Sequence, residues 1–220
     1  ADILDLGAES TRPGATALAL EDEWQRLQPV LSVALTFNIP ISIDTYKPEI
    51  MARALDCGAD IINDVWALRQ PASTHSLNAE QVVARHPNCG VCLMHMHRQP
   101  TDMQQLPMQG NVVEQVQDFL QSRAQRLVDL GIHANRITLD PGIGFAKEAH
   151  HNWEIIDSID QFVALGYPVL VGGSRKRFLG GDDPDEREAA TIELTKRLST
   201  SGIWGVRVHS VKAHKEVLSS

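Results

Sequence analysis

Seven short apolar runs, each closing on polar residues and each separated from the next by a helical pattern, constrain this 220-residue chain more than any other feature. They cover residues 3–7, 41–45, 61–65, 91–96, 137–142, 169–173 and 206–210. A strand with one wet face alternates apolar and polar residues, whereas a near-continuous apolar run belongs to a parallel strand covered on both faces. Between the runs, Trp24, Leu27, Leu31 and Leu35 recur at helical spacing. So do Val112, Val116, Phe119, Ala124, Leu127 and Val128, and then Ile155, Ile156, Ile159, Phe162 and Val163. The punctuation agrees. Pro48 sits in a first turn with Gly58 past the end, Asn111 and Asn152 stand where N-caps belong, and Gly131, Gly166 and Gly202 follow helix ends. Residues 69–86 are less periodic and predict only a weak helix.

Strict βα alternation predicts the α/β class and, over residues 1–220, a single (β/α)8 TIM barrel domain rather than an open doubly wound sheet. A full barrel takes about 250 residues, roughly 30 per unit. Seven strands in this length therefore read as a barrel lacking its first strand and loop. The chain opens inside a strand, ADILDLG, so a preceding βα unit is expected in the whole protein.

Composition narrows the function classes. A net charge of -8 argues against a nucleic-acid surface, which needs clustered Lys and Arg over a face. No apolar run nears the roughly 18 residues that span a bilayer, and the N-terminus has neither a basic region nor a cleavage site. The expectation is a soluble, cytoplasmic protein. Three cysteines imply a reducing compartment rather than a disulfide framework. Cys89 and Cys92 form a C-x-x-C, but Cys92 lies in the strand-like VCLMHM, so neither a redox nor a zinc role is expected.

In a barrel, the C-terminal ends of the strands line the active-site mouth. Here those ends read Glu9, Ser10, Thr11 and Arg12; Asp44 and Thr45; Asn63 and Asp64; His95 and His97; Asp140; Ser174, Arg175 and Lys176; Arg207 and His209. Packing alone gives no reason for buried strands to end so often in carboxylates, amides and cations. Asp44, Asn63 and Asp140 suit a planar heterocycle with adjacent N–H donors, because a carboxylate accepts two parallel hydrogen bonds. Lys176 adds a donor for a ring carbonyl. Arg207 and His209 alternate on one expected strand and so share a face; with Thr11 and Arg12 they suit a pyrophosphate.

Plainer readings stand beside some of these residues. Asp64 is expected as a local cap. His95 and His97 are expected as packing histidines, since no third ligand is spaced to join them. His150 and His151 read as loop residues near a helix start, and Asp182, Asp183, Asp185 and Glu186 as a solvated helix entrance. Gly142 and Gly144 in DPGIGF do not complete a dinucleotide fingerprint.

GAESTRPGA (7–15), ISIDTYKPE (41–49), IINDV (61–65), VCLMHM (91–96), ITLDPGIGF (137–145), VGGSRK (171–176) and RVHSV (207–211), in this order, resemble the signature of the dihydropteroate synthase family of pterin-binding enzymes. The resemblance covers the whole chain. It implies a folate-biosynthesis transferase that joins a dihydropterin pyrophosphate to p-aminobenzoate, a target of sulfonamides and commonly a homodimer. It assigns Asp44, Asn63, Asp140 and Lys176 to the pterin, and Thr11, Arg207 and His209 to the pyrophosphate. Arg12, Phe145 and Ser174 fall on the arylamine side, and Asp44, Lys176 and Arg207 are the catalytic candidates. It also implies Mg2+, held by an Asn on a loop that this sequence does not contain, so no metal ligand is assigned. Ala8 stands where Gly is usual and Ser210 where Asp is usual, and the link from Lys176 to Arg207 is short. Two alternatives share the pterin site: a pterin-binding methyltransferase domain, against which SRK and RVH argue, and a non-catalytic pterin-binding module.

Overall fold

The computed structural model describes residues 1–10, 15–71, 77–97 and 108–219. Two compact units emerge. One comprises Asp2–Met94 with Ser122–Thr138; the other comprises His95–Gln121 with Leu139–Ser220, together with Ala1.

In the first unit, β1 (Leu4–Leu6), β2 (Ile41–Asp44), β3 (Ile61–Asp64) and β4 (Gly90–Met94) pair in parallel and in chain order. The register sets Asp5 beside Ser42 and Asp44 beside Asn63. Side chains alternate across a strand, so Asp5, Ser42, Asp44 and Asn63 share one face, while Ile43, Ile62, Val91 and Leu93 share the other. The apolar face is the core: those four residues are at most 1% exposed, and each such burial is worth about 1.5–3 kcal/mol.

Two helices cover that core. α1 (Leu20–Ala34) buries Leu27, Leu31 and Ala34, as the spacing predicts, and α2 (Pro48–Asp56) buries Ile50, Met51, Ala54 and Leu55. The expected α1 face is rotated at its start, because Glu23 and not Trp24 is buried. Ion pairing explains this: the Glu23 carboxylate accepts from Lys47 Nζ at 2.5 Å and Thr45 Oγ1 at 2.8 Å. α3 (Ala79–Arg85) occupies the end of the weakly periodic stretch, where Asn78 and Gln81 form a capping box. Arg136 then fixes its C-terminal end by donating to the carbonyls of Val83, His86 and Cys89 at 3.1, 2.8 and 2.6 Å.

The strand that follows, β5 (Ile137–Asp140), neighbours β4 in the sheet order. In the second unit Leu139 bridges Val169 in parallel, and β6 (Leu170–Val171) pairs with β7 (Gly205–Val206). α5 (Ala149–Asp157) and α6 (Ile159–Val163) replace one expected helix, the chain leaving helical geometry at Ser158. Asn152 is not a cap: it lies inside α5, where its amide accepts from Gly144 N at 2.7 Å and donates to Glu148 O at 2.8 Å. Asn111 does cap its helix, α4 (Val112–Asp129), by accepting from Glu114 N at 3.2 Å. His150 and His151 stand in the first turn of α5 rather than in a loop. α7 (Arg187–Leu198) begins after the exposed acidic turn at 182–186, as expected, and α8 (Val211–Leu218) is an additional helix.

Each strand ends earlier than its apolar run does, and this overturns the reading that Arg207 and His209 share a strand face. Arg207 and His209 lie beyond β7, although Arg207 N still reaches Val171 O at 3.0 Å. The chain turns there toward α8, and His209 N takes Ser174 Oγ at 3.3 Å in place of a ladder partner. His95 and His97 likewise follow β4.

Candidate active site

In the first unit the polar sheet face carries three strand-end groups. Asn63 Nδ2 lies 3.2 and 3.4 Å from the two carboxylate oxygens of Asp5, which orients the amide. Asp44 stands beside Asn63 in register, and a Cβ on Gly7 would come within 3.2 Å of Asp44 Cβ, so the chain after β1 passes close over that residue. Asp5 was not among the expected site residues. Its signal is a lone charge between leucines in LDL.

Asp64 faces the other way. It is fully buried and accepts from Trp66 N and Leu68 N, both at 2.7 Å, so its role is the local cap expected. Burial pushes its carboxyl up to about 6. Lys47 fastens the segment after β1: Nζ donates to Glu9 Oε2 at 2.5 Å and Leu18 O at 2.9 Å, and Glu9 Oε2 accepts Leu18 N at 2.7 Å. Thr11 and Arg12 lie outside the described residues.

In the second unit the carboxylate of Asp140, at the end of β5, is the focus. It is 5% exposed, and Oδ1 accepts Gly142 N at 2.7 Å. Burial raises its pKa, opposed by the charge of Lys176, the Gly142 N–H, and the charges of Lys147 and Arg207. Three cations thus surround one buried acid. Lys176 donates to Ile143 O and sits 4.5 Å from the centre of the Phe145 ring, within cation–π range. Its stem crosses Gly144, where a Cβ would come within 2.7 Å of Lys176 Cδ and push the lysine stem aside, and φ there is +80°, which favours glycine.

Ser174 Oγ and His209 Nδ1 are 2.8 Å apart, so the imidazole is oriented by the residue before the Arg175–Lys176 pair. Ser210 Oγ accepts from Arg175 at 3.1 Å, while Arg175 Nε donates to Glu188 at 2.7 Å.

Of the expected residues, Asp44 and Asn63 stand side by side in one unit, and Asp140, Phe145, Ser174, Lys176, Arg207 and His209 belong to the other. Two residues outside that set join the second group. Lys147, whose Nζ is 2.9 Å from Gly142 O and 3.0 Å from His95 Nδ1, lies two residues after Phe145, but nothing in its spacing marks it as half-buried and inward-facing. His95 does lie in the VCLMHM run and fills the packing role expected, edge-on to Phe119 at 4.9 Å. Chemically, the second group pairs an acceptor for adjacent N–H donors with cations able to meet an anionic leaving group.

Comparison with known proteins gives these residues their context. The profile of the family described as "Pterin binding enzyme" matches residues 1–209. A dihydropteroate synthase of Streptococcus pyogenes serotype M6 is 40% identical over 225 residues, covering 100% of this chain and 80% of that protein. The structure of Yersinia pestis dihydropteroate synthase with a sulfonamide drug complex is similar with a TM-score of 0.93 at 33% identity, over 100% of this chain and 78% of that one. Burkholderia cenocepacia dihydropteroate synthase complexed with 7,8-dihydropteroate is similar with a TM-score of 0.89 at 41% identity, over 100% and 80%. The fold class expected from the sequence, an α/β TIM barrel, is the one these synthases share with this chain. The chain belongs to the pterin binding enzyme family, among the dihydropteroate synthases.

Proposed function

We propose that the chain condenses 6-hydroxymethyl-7,8-dihydropterin pyrophosphate with p-aminobenzoate to give 7,8-dihydropteroate and pyrophosphate. The observation that carries this reading is the match, over the whole chain at 40% identity, to a dihydropteroate synthase. The residue chemistry agrees with it. Asp44, Asn63, Asp140 and Lys176 are assigned to the pterin, Thr11, Arg207 and His209 to the pyrophosphate, and Arg12, Phe145 and Ser174 to the arylamine. The reading takes residues 1–220 as one pterin-binding domain, cytoplasmic and homodimeric, of a family that sulfonamides target.

The reaction breaks the bond between the pterin methylene carbon and the pyrophosphate oxygen, and forms a bond from that carbon to the arylamine nitrogen, which then loses a proton. Cations placed where negative charge develops on the departing oxygen stabilise the transition state, and Arg207 takes this role. The electron-poor methylene carbon shares its positive charge with the pterin ring, and the Asp44 carboxylate stabilises that charge. Lys176 donates to the ring carbonyl. The arylamine is weakly basic and unprotonated at neutral pH, so what remains is to position it.

The family resemblance implies Mg2+ held by an Asn on a loop outside this sequence, and no residue here is assigned to it. Among the described residues, the group of three or more potential ligands is Glu148, His150 and His151. Two imidazoles and one carboxylate are not the oxygen set that Mg2+ takes. No step above runs through a metal.

The test is release of pyrophosphate and formation of dihydropteroate by the whole protein, dependent on both substrates. Asp44→Asn lowers kcat far more than it weakens pterin binding. Pterin binding without turnover in the wild type would overturn the reading in favour of a binding module, and equal losses in both quantities for the variant would remove Asp44 from its role.

A further inference from the structure

A closed circuit of hydrogen bonds runs from Asp140 back to itself. Asp140 Oδ1 accepts Gly142 N at 2.7 Å, Gly142 O accepts from Lys147 Nζ at 2.9 Å, Lys147 Nζ meets His95 Nδ1 at 3.0 Å, and His95 N donates to Asp140 O at 2.9 Å. A fifth contact, from Lys147 Nζ to Phe145 O at 3.1 Å, ties in the carbonyl next to the aromatic ring that faces Lys176. An ammonium has three N–H donors, and here three acceptors surround it.

We propose that Lys147 is a positioning residue for pterin recognition: from the centre of this circuit it holds the Asp140 carboxylate in place and supplies it with a counter-charge. The inference rests on the proposed function and deepens it. Three observations support it beyond the distances. First, drawing a lysine ammonium even partly out of water is costly and is found where it has partners, as half-buried Lys147 has. Second, the circuit reaches Asp140 from two directions, its side chain by way of Gly142 and its main chain by way of His95, so loss of Lys147 leaves both the Gly142 carbonyl and the His95 imidazole without their shared donor. Third, the groups are electrostatically coupled. Burial pushes the Lys147 ammonium down to about 7, opposed by Asp140 and reinforced by Lys176. The carboxyl of Asp140 is pushed up by burial and held down by Lys176, the Gly142 N–H, Lys147 and Arg207.

The sign of the pH effect follows. Ring recognition uses the ionised carboxylate, which accepts two hydrogen bonds. Removing Lys147 removes one of the influences that favour ionisation, so Asp140 protonates at higher pH and recognition is lost sooner on acidification. The groups that set the limb are Asp140, Lys176, Arg207, Lys147 and the His95 imidazole.

The experiment compares Lys147→Met with wild type in the whole protein, using dihydropterin pyrophosphate and p-aminobenzoate in steady-state assays from acid to neutral pH. The expected result is a KM for the pterin substrate raised about tenfold, equivalent to about one pKa unit of lost interaction. The acid limb of kcat/KM for the pterin moves to higher pH. A variant that melts earlier while keeping the pterin KM and the acid limb would make Lys147 merely structural and overturn the proposal. If the methionine variant does not fold, His95→Gln, which keeps an acceptor for Lys147, and His95→Phe, which does not, replace it. The pterin KM then rises in the phenylalanine variant alone, and equal values in both would overturn the proposal. Should the wild type show no turnover, the functional reading fails separately, and calorimetric pterin affinities of the same variants decide on Lys147.

Discussion

Replacing Gly144 by alanine isolates the contribution of a glycine that admits a lysine, provided that Gly131→Ala is made beside it. Both glycines have left-handed φ, +80° at Gly144 and +86° at Gly131. An L side chain in that region costs about 1–2 kcal/mol. In a chain of this size 1 kcal/mol lowers Tm by about 2–4 °C, so each variant loses about 2–8 °C from the backbone alone. The two differ in what the new methyl meets. At Gly131 there is nothing within 4 Å, whereas at Gly144 the Cβ would lie 2.7 Å from Lys176 Cδ. The Lys176 stem must then shift, and the expectation is that its ammonium leaves Ile143 O and the Phe145 ring. A charge-assisted hydrogen bond is worth about 1.5–3 kcal/mol, so G144A melts below G131A by more than the scatter of the backbone cost. If Lys176 holds the pterin carbonyl, losing a bond of that class raises the pterin KM by about 10- to 100-fold in G144A and leaves it unchanged in G131A. Thermal melts and steady-state pyrophosphate release read both quantities. Matching Tm and matching pterin KM in the two variants would refute the claim that Gly144 exists for Lys176.

Arg136→Met strands the carbonyls of Val83, His86 and Cys89, each now bonded by a guanidinium within 3.1 Å; at about 1 kcal/mol or more for each bond, the urea midpoint falls by the equivalent of about 3 kcal/mol while kcat is kept. A midpoint within error of wild type would show that these contacts do not contribute. Of the three thiols, Cys57 is exposed while Cys89 and Cys92 are buried, and burial pushes Cys89 up to about 11. A disulfide reagent at neutral pH therefore titrates one thiol quickly and three only on unfolding; fast reaction at two or more would contradict the burial.

Local rules made much of this architecture legible. The β1–β4 ladder follows from apolar runs long enough to be strands, and α1, α2 and α4 from apolar spacing, Pro48 and the Asn111 cap. Other features needed the partner in hand. Whether α1 turned Glu23 or Trp24 inward depended on Lys47, which is 24 residues away in sequence. Where β7 ends depended on Ser174 offering its hydroxyl to His209, 35 residues on.

The sequence by itself determined the family and the chemistry: carboxylate, amide and cation types at the ends of apolar strands, in the order ESTRPG, LDPGIGF, SRK and RVH. It named Asp44, Asn63, Asp140 and Lys176 because residue type and strand-end position are both local properties. Only the tertiary structure decided which groups stand behind them. Asp5 orients Asn63, Ser174 orients His209, and Lys147 and His95 close a circuit on Asp140. A buried polar group must find a partner wherever the fold brings one, and that partner's distance along the chain is fixed by no periodicity.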